Sequence, residues 1–222
     1  MTDKIEFYYF TASYPYGIGE SWKKNELDIF RKYFKNITVI PYSYDNNKDN
    51  PKNIPDDIIL EKPLFTKKIK FNKFSILDLL SKNIFYYLRE FLNKKVFLKK
   101  SHFISWYIAS LKIEQLLKNH IIKKIIYNND KTILLYFFWG RGACDFVPFI
   151  KNKNLSFIRM HRYDLYEDIN DNYIPYRNLL FKNTNFIASC SEHGKKYLQK
   201  KYPDFNHKII LSRLGTISKG RA

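Results

Sequence analysis

The sequence predicts an α/β domain in which a parallel, Rossmann-like sheet is flanked by helices. Short runs of bulky apolar residues, each long enough for one buried strand, alternate with longer segments whose apolar residues recur at helical spacing. This alternation favours βαβ units and therefore parallel pairing of the strands. The predicted strands are residues 5–10, 37–41, 133–139, 157–160, 186–188 and 208–211.

The most apolar run of the chain, from residue 132 to residue 139, is typical of a central strand that is buried on both faces. The helices are predicted from apolar periodicity and from capping residues, such as Ser191 at an N-cap position and the capping-box pattern from Ser75 to Asp78. The predicted helical segments are residues 21–34, most of 74–126 including 103–117, a short turn after Gly140, 173–181 and 192–201. Residues 43–57 are rich in Asn, Asp, Lys and Pro, which indicates an exposed connection.

Composition narrows the class of protein and of partner. The chain has 222 residues, which suits one large domain or two small ones, and 45% hydrophobic residues, enough for a packed core. There are 39 Lys and Arg residues against 21 Asp and Glu residues, a net charge of +18. Such a charge predicts attraction to polyanions, which include nucleic acids, anionic membranes and phosphorylated substrates.

The cellular compartment is predicted from the cysteines and from the lengths of the apolar runs. The two cysteines, Cys144 and Cys190, form no CxxC or Cys/His cluster, which argues against a disulfide scaffold and a structural zinc site. Cys144 is interpreted as a packing residue. No run resembles a signal peptide or reaches the length of about 20 residues that spans a bilayer. We therefore expect a cytoplasmic protein, with attachment to the inner face of the membrane left open.

One helical segment allows two interpretations. Its apolar stripe runs through Leu77, Leu80, Ile84, Leu88 and Phe91. Basic residues stand nearby, at Lys82, Arg89, Lys94, Lys95, Lys99 and Lys100. The stripe is either an ordinary core face with a solvated lysine face, or part of a basic, aromatic helix that lies on an anionic membrane.

Candidate site residues follow the ends of the predicted strands. After the strand at 157–160 come His161, Arg162 and Asp164, and in an α/β sheet such groups face the ligand crevice. His161 is either a site residue, since imidazole can donate, accept or carry charge near neutral pH, or a residue that merely caps the strand.

Two further strand ends add candidates. The loop after the first strand carries Gly17 and Gly19 before a helix N-terminus, where phosphate or carboxylate binding is favoured, although two glycines are also compatible with a simple turn. Arg141 follows the central strand, where it could meet an anion or form a surface salt bridge.

Four segments together resemble the N-terminal half of family 4 glycosyltransferases, the retaining GT-B class that builds bacterial surface polysaccharides. Residues 14–20, followed by 25–27, resemble the family's first glycine loop and helix, and 160–166 resemble its His-Gly-Tyr-Asp-Leu-Tyr segment. Residues 187–195 resemble its Ser-Glu-x-x-Lys step from strand to helix, and 210–216 resemble the strand that enters the interdomain linker. Arg162 departs from the pattern, since it stands where glycine is commoner and adds charge and bulk.

The resemblance implies roles for particular residues. His161 would bond to the donor sugar near the reaction centre, and Asp164 would share the catalytic site with it. Asp164 and Glu192 would orient the site, whereas Gly17 and Gly19 would let the loop approach the donor diphosphate or the acceptor. The residues implied in substrate binding are Gly17, Gly19, Glu20, Arg141, Arg162, Ser191 and Glu192.

The resemblance also implies a division of labour. Residues 1–215 would form the acceptor-side domain and 216–222 the start of a linker, while a donor-binding domain of roughly 150–200 residues would be needed in cis or in trans. Such an enzyme uses a sugar nucleotide and a lipid-linked or saccharide acceptor, and it needs no bound metal or other cofactor. The 222-residue chain alone is then expected to be largely inactive.

Two other classes compete with this prediction. The chain could be a non-catalytic half that binds an acceptor or docks on a membrane and pairs with a separate donor-binding chain. It could also be a nucleic-acid binder, which the net charge of +18 allows. Against the latter, the lysines are spread along the chain and no recognition motif occurs, so nucleic acid is not the expected partner.

Overall fold

The described part of the chain forms one sheet of seven parallel strands. A computed structural model describes residues 5–16, 20, 22–43, 51, 54–65, 79–128, 132–150 and 154–215. The strands are β1 (Ile5–Thr11), β2 (Asn36–Pro41), β3 (Ile58–Leu60), β4 (Thr132–Phe137), β5 (Leu155–Met160), β6 (Phe186–Ser189) and β7 (Ile209–Leu211).

Helices connect the strands and cover the sheet. They are α1 (Lys23–Phe30), α2 (Ile84–Asn93), α3 (Lys100–Lys118), α4 (His120–Tyr127), α5 (Arg162–Leu165), α6 (Arg177–Asn183) and α7 (Glu192–Lys201). Short 3₁₀ helices occupy Val96–Leu98, Ala143–Phe149, Asp168–Asn170 and Pro203–Lys208. Among the described helices, none combines the length and the hydropathy that spanning a bilayer requires.

The strand order places a crevice at the centre of the sheet. The order is β3-β2-β1-β4-β5-β6-β7, so the chain moves outward from β1 to β3, returns to the centre at β4 and then moves outward to β7. β1 and β4 are parallel neighbours whose connections leave in opposite directions. In such doubly wound sheets, ligands bind beyond the carboxyl ends of the strands at this reversal. The predicted Rossmann-like parallel sheet is therefore confirmed.

The core lies on both faces of the sheet, as the alternation within β4 shows. Ile133, Leu135 and Phe137 belong to a cluster that also includes apolar residues of α4, α6 and α7. Tyr136 belongs to a second cluster on the opposite face, together with Leu27 of α1. Cys144 is fully buried in the first cluster, in agreement with its interpretation as a packing residue.

Several predicted boundaries need correction. The strand β3 was not predicted, because its three residues adjoin the polar connection. α1 ends at Phe30, so Tyr33 and Phe34 lie beyond it. α6 begins at Arg177 rather than at residue 173, because Tyr176 adopts a left-handed backbone conformation with a φ of 59°. The capping-box pattern predicted from Ser75 to Asp78 lies outside the described residues.

The apolar stripe predicted for this segment is only in part a core face, because Ile84 and Phe91 are half-buried and Phe91 packs against the core. Leu80 and Leu88 are 71% and 45% exposed, whereas the buried residues of α2 are Tyr87 and Glu90. Glu90 accepts hydrogen bonds at 3.2 Å from the Tyr173 hydroxyl and at 3.0 Å from the backbone N–H of Tyr176. The helix is thus held inward by polar contacts as well as by Phe91, and Leu88 of the stripe faces outward.

A second buried carboxylate strengthens this arrangement. Glu114 of α3 accepts hydrogen bonds from Ser81, from the Asn83 amide at 3.0 Å and from the Tyr87 hydroxyl at 2.6 Å. The indole of Trp106 donates to the carbonyl of Tyr87 at 3.1 Å. Because buried polar groups need hydrogen-bond partners, these contacts fix which side of α2 faces the protein.

Candidate functional site

Segments that follow three different strands meet at the carboxyl edge of the sheet. Glu20 lies after β1, Trp139 after β4 and His161 after β5. The Trp139 indole Nε1 donates to Glu20 Oε1 at 2.9 Å, and its ring centroid lies 4.6 Å from that of the His161 imidazole. Glu20 and His161 therefore both lie against Trp139 at this edge. Gly17 and Gly19, which were predicted to meet His161 here, lie outside the described residues, so that convergence stays a prediction.

The Glu20 carboxylate is buried and has both oxygens occupied. Oε2 accepts from the backbone N–H groups of Ser13 and Tyr14 at 2.7 and 2.8 Å, and Oε1 accepts from Trp139 and from the ammonium of Lys23. Burial opposes ionisation, but the charge of Lys23 and these hydrogen bonds outweigh it and lower the pKa of Glu20. Predicted as a substrate-binding residue, Glu20 has the geometry of a residue that positions the edge.

Lys23 is fully buried beside Glu20. Its ammonium lies 3.9 Å from the centroid of the Phe138 ring, so that one side of the charge faces an aromatic π surface. Burial lowers the pKa of Lys23 to about 8, although Glu20 favours the charged form. Since removal of Glu20 would leave the Lys23 ammonium buried without a partner, the pair constrains the first turn of α1.

The His161 ring is held between aromatic residues. It stacks on Phe138 with centroids 4.5 Å apart and meets Trp139 from another direction. Its Nδ1 lies 3.6 Å from the Cys190 sulfur, whereas Nε2 is buried and has no hydrogen-bond partner among the described residues. Burial, assisted by the charges of Arg159 and Lys23, lowers the pKa of His161 to about 4, although a contact with the backbone of Phe138 and the charge of Glu20 oppose this shift. The imidazole is therefore neutral near pH 7.

Asp164 links the loops that follow β4 and β5. Its carboxylate accepts hydrogen bonds from the backbone N–H groups of Gly140 and His161, and its own carbonyl accepts one from Arg177. Burial raises the pKa of Asp164 to about 6. Because both carboxylate oxygens are bonded to backbone, Asp164 is suited to orienting His161, which is one of its two predicted roles.

Arg159 is a site residue that sequence reasoning missed. Within β5 its Nη1 donates to Glu26 Oε1 at 2.7 Å and its Nη2 to Ser212 Oγ at 3.0 Å. Glu26 also accepts from the hydroxyls of Tyr9 and Tyr136 at 2.6 and 2.8 Å. The available signal was a charged residue in an otherwise apolar strand, since such a residue is buried only when it is paired.

The remaining predicted residues lie on the rim. Ser191 is the N-cap of α7, as predicted, since its hydroxyl accepts from the N–H of Gly194 at 3.1 Å. Glu192 is exposed in the first turn of α7, and the described part of the chain offers it no hydrogen bond or ion pair. Arg162 is exposed, and Arg141 is exposed with Nη1 2.5 Å from the Asn170 amide oxygen.

These observations define a Rossmann-like α/β domain with a cluster of buried polar and aromatic residues at the carboxyl ends of its central strands. In the described part of the chain, no three His, Cys, Asp or Glu side chains come together in a way that could hold a metal ion. Comparison with protein-family models, with curated proteins and with solved structures finds no match.

The Glu20–Lys23 pair generates a stability prediction. Glu20→Gln places an amide NH₂ against groups that all donate, and it leaves the Lys23 charge buried. We expect a loss of about 3–5 kcal/mol in the free energy of unfolding. Lys23→Met should cost only about 1–2 kcal/mol, because Glu20 keeps three N–H donors and the methionine fills apolar space.

Urea unfolding of both variants at pH 7, followed by circular dichroism, measures the two losses. Equal losses, or a larger loss for Lys23→Met, would show that the four donors around the carboxylate are not what holds this edge together.

Proposed function

We propose that the chain is the acceptor-side domain of a retaining GT-B glycosyltransferase that transfers a sugar from a sugar nucleotide during synthesis of a bacterial surface polysaccharide. Rossmann-like sheets serve many reactions, so the fold alone does not select this one. The support comes from the segments that resemble family 4 enzymes, because three of them supply Glu20, His161 and Cys190 to one edge of the sheet.

The observation that carries the proposal is the state of the His161 ring. The imidazole is neutral, packed between aromatic rings, and has a buried Nε2 without a partner among the described residues. A buried polar atom is normally paired, so an unpaired one at a strand-end crevice is expected where a ligand completes the bond. A sugar hydroxyl suits this atom, because it can both donate and accept.

The surrounding residues would position the histidine rather than contact the sugar. Asp164 fixes the backbone at His161, and Glu20 with Lys23 fixes Trp139, whose ring borders the imidazole. In a site of low polarity, a fixed donor or acceptor stabilises developing charge more strongly than the same group in water. Because Nε2 is buried in this structure, sugar binding has to displace the residues that cover it.

The test is sugar transfer from radiolabelled sugar nucleotides to bacterial lipid-linked acceptors, with a donor-binding domain supplied in cis or in trans. We expect little transfer by the 222-residue chain alone. With the donor domain, His161→Ala should lower the rate about 100-fold without loss of folded structure, since it removes a group that contacts the reacting sugar. His120→Ala is the control, because that side chain is 75% exposed.

Two results would contradict the proposal. One is full transfer by His161→Ala in the complete enzyme, and the other is the absence of transfer with every donor and acceptor combination. Robust transfer by the 222-residue chain alone would instead refute the need for a second domain.

A second candidate function, membrane docking by a half that is not itself catalytic, is favoured by the surface of α2. Five large apolar side chains on this surface are 45–78% exposed: Phe85, Leu88, Leu92, Phe97 and Leu98. Exposed basic side chains lie in the same segment, at Lys82, Arg89, Lys94, Lys95, Lys99 and Lys100, and of these Lys99 is paired with Asp171. Glu90, the one acid from residue 79 to residue 100, is buried. We call these eleven residues the α2 surface, and its chemistry fits an anionic bilayer.

Vesicle sedimentation tests this second candidate. Binding to phosphatidylglycerol vesicles should exceed binding to phosphatidylcholine vesicles, and it should fall steeply with added salt because each lysine or arginine contributes about 1 kcal/mol at the surface. Replacing Phe85 and Leu92 with Ser should weaken binding about tenfold or more, through loss of buried apolar area. Tyr33→Ser is the matched control, since Tyr33 is 64% exposed and lies outside the α2 surface.

Equal binding to both lipids, or to neither, would refute electrostatic docking. Tight and salt-sensitive binding to DNA under the same conditions would instead favour the nucleic-acid class.

A further inference from the structure

A cavity of about 360 Å³ opens beside the strand-end cluster, and Arg141 is the predicted substrate-binding residue that lines it. Its walls come from elements far apart in sequence: Tyr42 after β2, the turn 140–142 after β4, one side of α3 and the start of α6. This volume lies within the range of about 300–1,000 Å³ that is usual for small-molecule sites.

The cavity has an apolar wall and a charged end. The apolar wall is formed by Ile104, Ile108, Ala109, Ile174 and Leu180. The charged lining residues are Lys112, Arg141, Arg177 and Asp145. Three cations and one carboxylate give this lining a net charge of +2 when all are ionised, from three minus one. A cavity of this composition favours an anionic ligand with an organic body.

Lys112 is the cation that is most available to a ligand. It is half-buried in α3, and burial lowers its pKa although Asp145 favours the charged form. The described residues give its ammonium no hydrogen bond or ion pair, and its nearest aromatic contact is the Tyr42 ring, 5.7 Å away. Arg177, by contrast, already donates to the carbonyl of Asp164 and to the sulfur of Met160.

Tyr42 provides a second observation. Its hydroxyl is buried and has no partner among the described residues, and burial raises its pKa so that it stays a neutral donor. Its ring packs against Phe65, with centroids 4.9 Å apart, and a Cβ at Gly142 would come within 3.1 Å of it. A buried hydroxyl without a partner is unfavourable, and a ligand or its bound water would supply the missing hydrogen bond.

We propose that this cavity binds a phosphate monoester, with the phosphate between Lys112 and Arg141 and the organic group against the apolar wall. A phosphate monoester carries a charge of about −1.5 to −2 at neutral pH, which matches the +2 of the lining. A carboxylate would leave about half of that charge without compensation. The proposal does not rest on sugar transfer, since binding at this cavity is measurable without donor or acceptor.

The experiment is isothermal titration calorimetry of the 222-residue chain with five probes. Inorganic phosphate, glucose 1-phosphate and phenyl phosphate carry the anion, whereas glucose and phenol are the matched neutral compounds. We expect both organic phosphates to bind at least about tenfold more tightly than their neutral counterparts and than inorganic phosphate. Tighter binding of phenyl phosphate identifies a lipid-like organic group, and tighter binding of glucose 1-phosphate identifies a saccharide.

Variants locate the binding. Lys112→Met should weaken binding of the tighter organic phosphate about tenfold, through loss of one charge-assisted contact, and Arg141→Gln should weaken it similarly. Lys118→Met is the matched control on the same helix, because Lys118 is exposed and does not line the cavity. Equal binding of the neutral compounds, equal effects of Lys118→Met and Lys112→Met, or no binding up to about 10 mM would overturn the proposal.

Discussion

The buried carboxylate of Glu20 is the group on which the carboxyl edge of the sheet depends. It accepts from the backbone after β1, from the ammonium of Lys23 in α1 and from the indole of Trp139 after β4. One side chain therefore ties together two neighbouring strand ends and a helix start. Trp139 in turn borders His161. The hydrogen bond that holds Trp139 to Glu20 therefore also helps to position the imidazole.

Charge is buried in three places around this edge, and each has a different partner. Lys23 pairs with Glu20, Arg159 with Glu26, and Arg177 with the carbonyl of Asp164. Burying ions is costly, and apolar residues of similar volume often give equal or greater stability. We infer that these groups specify the geometry of the strand-end loops, which a purely apolar core would leave loose. Burial, assisted by Arg159 and Lys23, also keeps His161 neutral.

Much of the fold follows from local sequence, because strands in a parallel sheet need bulky apolar runs and the helices between them need periodicity. The strand β3 was not predicted, because its three residues adjoin a polar loop. The orientation of α2 could not be predicted, because it depends on hydrogen bonds between residues distant in sequence. Glu90 bonds to Tyr176, and Glu114 bonds to Tyr87. His161 could be selected as a candidate from its place after a strand. Arg159 could not, because its partner Glu26 lies 133 positions away in the sequence.

We propose that His161 is a neutral imidazole, fixed by its surroundings, whose buried Nε2 is left for a ligand to pair once the residues that cover it move. NMR of ring-labelled histidine, with the resonance assigned by the loss of signal in His161→Gln, tests this most directly. We expect the His161 imidazole to titrate with a midpoint near 4, well below the ordinary pKa of 6.5, because burial and the charges of Arg159 and Lys23 oppose protonation. A midpoint at or above about 6.5 would contradict it, since the ring would then be solvated or paired with a carboxylate.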